Sequence, residues 1–430
     1  MPRPLRLEVT VTSLAPRGDG VAHAIIDGER RAIFLPATAT GDILRADVDP
    51  SKRPARGHVV EVLAAGADRV TPACPWSLRC GGCDWMHLST AAQRATHVEH
   101  VRAALPAAWR GIDVLSHGAA ETLRYRSRAR LHVRCERGRV EVGMHGARTN
   151  DPVAVEVCAV LDPAVEAGRR LLPALFEGTR GRGDAQIALG VGRRPVLELR
   201  WSDELAPVFF ARLEKAVGDG RLAGARVSID GASRPAVVGD PTPWMQGADD
   251  EPLRLAPGGF GQASERMNAS LVRHIAEVLR PWAIDRGVEL YAGSGNLSVV
   301  LAREVRELVV VESSRDNCDA ARANLAARGL DARVVEADAE GFVWSPATQL
   351  VVLDPPRTGA RPVAERLARS RVARVLYASC DPQTLGRDLG ILAEAYAPAS
   401  VATFEMFPQT SHVETVVALE RRRPAKRGRA

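Results

Sequence analysis

Aromatic residues make up only 4% of this 430-residue chain, too few for a binding surface built from many stacked rings, so recognition falls mainly to arginine. Long apolar runs are missing too. No segment approaches the ~20 consecutive apolar residues of a membrane-spanning helix, and Met1 to Arg6 lacks the apolar core of a signal peptide. The chain is therefore expected to be soluble and cytoplasmic with no membrane partner; a monomer is expected as well. Charge of one sign does not dominate: 58 basic against 52 acidic residues leave a net +6, which suits a polyanion without requiring one. An odd number of cysteines, seven, without an export signal argues against a disulfide framework and for metal binding or catalysis.

What the sequence does have is length and 46% hydrophobic residues, enough for a sizeable core and for three domains. Residues 7 to 70 alternate apolar and polar in short runs broken by Gly, Pro and Asp, as in a small antiparallel barrel of the OB-like kind with an RNA-facing groove. Residues 71–265 read as a central α+β domain. Within it a helix is expected from Ser89 to Ala104, a hairpin from Arg124 to Met144 turning near Arg137 and Gly138, and a linker or lid from Gly247 to Gly261. Arg124, Arg126, Arg128 and Arg130 share one face of a predicted strand and are placed to grip phosphates. Across 266–420 strands and helices alternate, which implies an α/β domain with a mostly parallel sheet covered on both faces. Residues 421–430 form a basic tail.

Ligands of such sheets bind outside the carboxyl ends of the strands. After strand Val288 to Tyr291 comes Ala292-Gly293-Ser294-Gly295-Asn296, where glycines allow a sharp turn and close approach of a ligand. About 20 residues on, Glu312 ends the next strand and can accept both hydroxyls of a ribose; Asp338, after the third strand, can bond an adenine amine. A dinucleotide would need a third glycine near the helix start for its pyrophosphate, and Leu297 to Leu301 has none. An adenosyl cofactor without phosphates fits better. Asp354-Pro355-Pro356-Arg357 follows strand Leu350 to Leu353, its prolines holding the carboxylate still, and Ser379-Cys380-Asp381-Pro382 ends the following strand. Cys74, Cys80 and Cys83, the last two flanking a Gly-Gly turn, form a four-thiolate site with Cys158 as fourth; spacing alone leaves zinc and an iron-sulfur cluster equally open. Cys135 and Cys318 read as incidental.

ELYAGSGNLS, LDPPRTG, YASCDPQTLGRD and EMFPQTSHVET, in that order, resemble motifs of the bacterial RNA (uracil-C5)-methyltransferases. The resemblance implies a class I (Rossmann-like) methyltransferase domain that uses S-adenosyl-L-methionine. It gives Cys380 the role of nucleophile and Glu414 that of general base, and places Asp354 in the active site near cofactor and uracil. Gln262, Glu312 and Asp338 would hold the cofactor, with Tyr291 and Gly293 lining its pocket. Glu289 and Ala292 stand where Asp and Cys are common in that family. The CGGC run followed by His87 is similar to the rRNA branch, which carries a [4Fe-4S] cluster and a barrel of the TRAM type. The implied substrate is a uridine of 23S ribosomal RNA. A tRNA uridine is the alternative RNA, and a catalytically silent RNA-binding module the alternative class; loss of Cys380 or Glu414 would have favoured the latter.

Overall fold

The computed structural model describes residues 4–422, so most of the basic tail lies outside the described residues. Strand Leu5–Leu14 pairs with both Gly20–Ile26 and Ile43–Asp49, and Glu29–Leu35 and Ala55–Ala64 complete a closed five-stranded barrel. Closure removes the exposed edges a short sheet would otherwise present. Its core is the inward set of the alternation, including Val9, Val11, Ile33, Leu35, Leu44 and Val48.

The predicted hairpin is present as Arg128–Glu136 paired with Arg139–His145. Arg137 and Gly138 both adopt positive φ, at 51° and 76°, the geometry of the tight turns that match strand twist. This hairpin lies in a seven-stranded sheet. Helices Pro163–Leu175 and Pro207–Gly218 pack into the sheet's apolar core through residues such as Leu172 and Phe209.

The C-terminal sheet has eight strands, in the order Arg333–Glu336, Val305–Glu312, Ile284–Leu290, Leu350–Leu353, Arg374–Ser379, Glu414–Arg421, Tyr396–Phe404 and Val114–His117. Order reverses between Ile284–Leu290 and Leu350–Leu353, which creates the crevice where such sheets take ligands. Separate apolar clusters cover its two faces, one around Leu271, Leu301 and Phe404, the other around Leu367, Tyr377 and Leu389. Strand Val114–His117 comes from far upstream in sequence and pairs in parallel with Tyr396–Phe404. Helix Thr90–Ala104 buries Val101 in the same core, so residues 90–117 are built into the C-terminal α/β layer.

Two sequence expectations change meaning here. The acidic segment from Gly247 to Gly261 is tied down rather than a free lid: Trp244–Gln246 pairs with Pro252–Arg254, Asp249 bridges Arg328 at 2.7 Å and Arg303 at 2.8 Å, and Asn324 bonds both backbone groups of Arg254. Only Arg128 and Arg130 of the arginine row lie on the strand, which begins at Arg128. Arg124 stands before it at φ 56°, and although Tyr125, Ser127 and Ala129 between the arginines are buried, the row's members meet different partners. Arg126 lines the cavity of the cysteines, Arg128 is bonded to the Gly259 carbonyl, and Arg130 pairs with Asp184. Among the described residues no helix is long and apolar enough to cross a membrane.

Candidate active site

Register brings the predicted residues to one edge. Parallel pairing sets Leu290 beside Val311 and Leu353, Leu353 beside Tyr377, and Glu312 beside Glu336. The residues that follow these strand ends, Tyr291, Asp338, Asp354 and Cys380, therefore emerge together. Antiparallel pairing of Ser379 with Thr415 places Glu414 across from Cys380, a spacing of about 5 Å between opposed α-carbons. Asp381 caps helix Pro382–Leu392 through the Gln383 and Thr384 amides, fixing the turn that carries Cys380.

The electrostatics follow from burial. The Cys380 thiol is pushed up to about 12, by burial first and the Glu414 carboxylate second, with Arg357 opposing. The Glu414 carboxyl is raised by burial and then by Asp354, and Arg357 pulls it back. Asp354 is raised by burial. Desolvation of both carboxyls and the repulsion of Glu414 by Asp354 act in the same direction, favouring the protonated forms. Arg357, exposed on the Asp-Pro-Pro turn and 3.3 Å from His412, is the nearby cation; the sequence reading quoted it without a role. One oxygen of Glu414 is buried without a partner.

Beside this group lies the glycine turn. Tyr291, Gly293 and Gly295 have φ of 62°, 57° and 86°. At Gly295 a β-carbon would come within 3.1 Å of the Ala321 side chain, whereas at Gly293 it would enter open space. Glu312 accepts from the Gly293 amide at 2.9 Å and from the Ser314 amide at 2.8 Å, so the loop and carboxylate are set together. The Gln262 carbonyl oxygen and the Tyr291 hydroxyl are buried without partners. Such orphans ask for a ligand or water, and an adenosyl group with an amino-acid tail supplies the donors and acceptors they lack.

Glu289, one turn of register below, is buried with its carboxyl raised to about 8, by burial chiefly, against a Ser298 hydroxyl donating at 2.5 Å. Because the folded value exceeds the unfolded one, stability is complete at acid pH and is lost as pH climbs through this window, by up to about 1.4 kcal/mol per pH unit. Glu289→Gln is accordingly expected to gain stability over the native chain at pH 8 but not at pH 5. Thermal unfolding at both values tests this, and an equal difference at the two would remove the argument.

Cys74, Cys80, Cys83 and Cys158 line one enclosed cavity with Met86, Arg126 and Arg169. Among the described residues, however, no three potential ligands stand together at metal-holding geometry. His87 does not join them; it is buried and its Nε2 lies 3.1 Å from the Thr38 carbonyl of the barrel. Cys135 and Cys318 are buried apart from the cluster, the latter against the Glu312 carbonyl.

Sequence reasoning missed the contacts that join these sites. Ser294 donates to the Asn317 side-chain oxygen at 3.2 Å and accepts from the Ala256 amide. Asp84 and Gln93 reach the loop before Glu414. Residues of these types have no motif; only proximity in space identifies them.

Comparison with known proteins agrees with this geometry. The family described as tRNA (Uracil-5-)-methyltransferase matches residues 253–348 and 343–422. The chain is 33% identical to the 23S rRNA (uracil(1939)-C(5))-methyltransferase RlmD of Halomonas elongata, over 98% of this chain and 91% of that one. It is 31% identical to RlmD of Pseudomonas putida, over 94% and 91%. Among solved structures, the Pyrococcus abyssi tRNA (uracil-54, C5)-methyltransferase in complex with S-adenosyl-L-homocysteine covers 96% of this chain at a TM-score of 0.75 and 19% identity, a likeness of fold. The ordered motifs, the sheet edge that gathers them and the full-length relatives agree: this chain belongs to the RlmD family of 23S rRNA (uracil-C5)-methyltransferases.

Proposed function

We propose that the protein transfers a methyl group from S-adenosyl-L-methionine to carbon 5 of a uridine in 23S rRNA, the counterpart of uracil 1939 named for its relatives. The observation that carries this is the gathering of Cys380, Asp354 and Glu414 on one sheet edge beside the Gly293 turn and Glu312. Gln262, Tyr291, Gly293, Glu312 and Asp338 would hold the cofactor, with Asp354 near both it and the base. When bound, the cofactor supplies a methyl group on a sulfonium, an electrophile that unactivated uracil carbon 5 is too weak to attack.

Cys380 provides the activation. Its thiolate forms a bond to carbon 6 and pushes electron density onto carbon 5. After methyl transfer the Glu414 carboxylate takes the carbon 5 proton, and the electron pair returns to expel the thiolate and restore the ring. The uridine must leave its stack to reach Cys380. Residues 1–70 are assigned to RNA contact as a TRAM-like barrel, 71–265 to the cysteine site and further RNA contact, and 266–420 to catalysis. On the barrel Arg17 and Arg30 are exposed.

We also assign Cys74, Cys80, Cys83 and Cys158 to a [4Fe-4S] cluster, with zinc as the alternative. Their shared cavity supports this, and so does Arg126 on its wall, a cation facing what would be a net anionic centre. Protein purified without oxygen is expected to contain iron and acid-labile sulfide and to absorb broadly in the visible, and Cys83→Ser to lose all three. Stoichiometric zinc without sulfide would support the alternative instead.

The test of function is methylation of unmodified 23S rRNA and, separately, bulk tRNA with radiolabelled S-adenosylmethionine, followed by digestion to nucleosides. Label recovered as 5-methyluridine from the rRNA alone supports the reading; label only in tRNA replaces the substrate, and none in either removes the activity.

A further inference from the structure

The loop that leads to Glu414 is held by the segment that carries the cysteines. Asp84 follows Cys83 directly. One of its carboxylate oxygens accepts from the Ser411 amide at 2.8 Å and the other from the Ser411 hydroxyl at 2.6 Å. The Trp85 amide donates to the Gln409 carbonyl at 3.0 Å. Gln93, buried, accepts from the Gln409 amide at 2.9 Å and directs its own amide nitrogen toward the Gln409 side-chain oxygen at 3.1 Å. Tyr125 donates to the Pro408 carbonyl at 3.0 Å. Gln409 itself sits at φ 72°, a left-handed backbone that costs a non-glycine residue energy and persists only where surroundings impose it.

The same segment reaches two other places. Cys83 and Met86 line the cysteine cavity while Asp84 and Trp85, between them in sequence, hold the loop. Trp85 also donates its indole N–H to the Gly18 carbonyl in the first turn of the barrel at 3.2 Å. A β-carbon at Gly18 would fall 2.4 Å from an Asp84 carboxylate oxygen, so barrel and clamp are in contact. None of these bonds is made to Cys380, Asp354 or Glu414.

We propose that Asp84 and Gln93 are positioning residues for proton removal: they fix loop Phe407–His412, and through it Glu414, and so make the last chemical step depend on the cysteine segment. This rests on reading Cys380 as nucleophile and Glu414 as base. A displaced base leaves the earlier steps intact. Cys380 still bonds to carbon 6 and carbon 5 still accepts the methyl, but the carbon 5 proton has no acceptor and the carbon–sulfur bond does not break.

The signature is a methylated RNA–protein adduct that survives denaturing electrophoresis. The full-length enzyme, purified without oxygen, would be incubated with radiolabelled S-adenosylmethionine and a 23S rRNA fragment, comparing native, Asp84→Ala, Asp84→Asn, Ser411→Ala and Glu414→Gln proteins. Asp84→Ala is expected to lower kcat by roughly 10- to 100-fold, the scale of a small misplacement. It should raise the fraction of enzyme in labelled adduct while leaving the KM for S-adenosylmethionine within about twofold. Asp84→Asn should restore most of the turnover, since an amide can accept from the Ser411 amide and donate to its hydroxyl. If Asp84→Ala does not fold, Ser411→Ala, which deletes one bond, should move kcat and adduct in the same directions by less. Native turnover in both variants, or loss of turnover and adduct in parallel, overturns the proposal. Glu414→Gln separates the premises: adduct there but none in the Asp84 and Ser411 variants rejects the clamp alone, and no adduct in Glu414→Gln rejects the base on which it rests.

Discussion

Replacing Cys380 with alanine is expected to lower methyl incorporation into 23S rRNA by roughly 10⁴- to 10⁶-fold, the scale on which removal of a covalent nucleophile is felt. The loss should be chemical rather than structural. The turn around Cys380 is fixed by its neighbours: Asp381 caps the following helix, and the Ser379 hydroxyl bonds to Asp381. Among the described residues no hydrogen bond of the thiol supports that turn, so alanine leaves it in place. Binding of S-adenosylmethionine, proposed above to rest on the glycine turn and Glu312, should stay within about threefold by calorimetry, since the thiol is not among the groups proposed to hold it. Native-like incorporation by Cys380→Ala would sink covalent activation, and weak binding with lost activity would instead indicate a collapsed site.

Glu414→Gln should cost roughly 10²- to 10⁴-fold in turnover, the usual worth of a positioned general base, and should change the pH dependence as well as the rate. In the native enzyme the Glu414 carboxyl and the Cys380 thiol are both held above their ordinary values, by burial first. Their reactive forms are the ionised ones. Raised values mean that these forms accumulate only as pH rises, so native kcat is expected to climb between about pH 6 and 9. Gln cannot ionise. It removes the carboxyl from that climb and leaves the thiol's contribution, which also loses the neighbouring negative charge. A profile of log kcat against pH checks both points: a flat native curve would mean that neither group limits turnover, and an unchanged curve in Glu414→Gln would mean that another group is the base.

Sequence legibility followed the range of the interactions involved. The alternation from residue 266 onward reads as a parallel sheet because each apolar strand is buried on both faces and each helix shows one stripe. Cys380, Asp354 and Glu312 were legible because strand ends on such a sheet share one edge, so position in the pattern implies position in space. The barrel was legible for a similar reason: period-2 runs broken by Gly, Pro and Asp leave few alternatives.

Tertiary structure alone decided how distant segments meet. That residues 90–117 join the C-terminal sheet, with Val114–His117 paired to Tyr396–Phe404, has no local signature, because a four-residue edge strand carries too little pattern. The arginine row was not one strand face, since only Arg128 and Arg130 fall on the strand and Arg126, Arg128 and Arg130 each met what the fold placed opposite. The acidic segment from Gly247 read as a linker or lid, and only the fold brought Arg328 and Arg303 to Asp249. Asp84 and Gln93 had no motif at all, because a hydrogen bond between residues more than 300 positions apart depends on the path of the whole chain. By itself the sequence determined on which element each candidate group stands, because periodicity and turn residues act locally, while the roles proposed for those groups came from the resemblance of their motifs. Only the folded chain decided which groups hold them in place, because those contacts exist only after every intervening segment has packed.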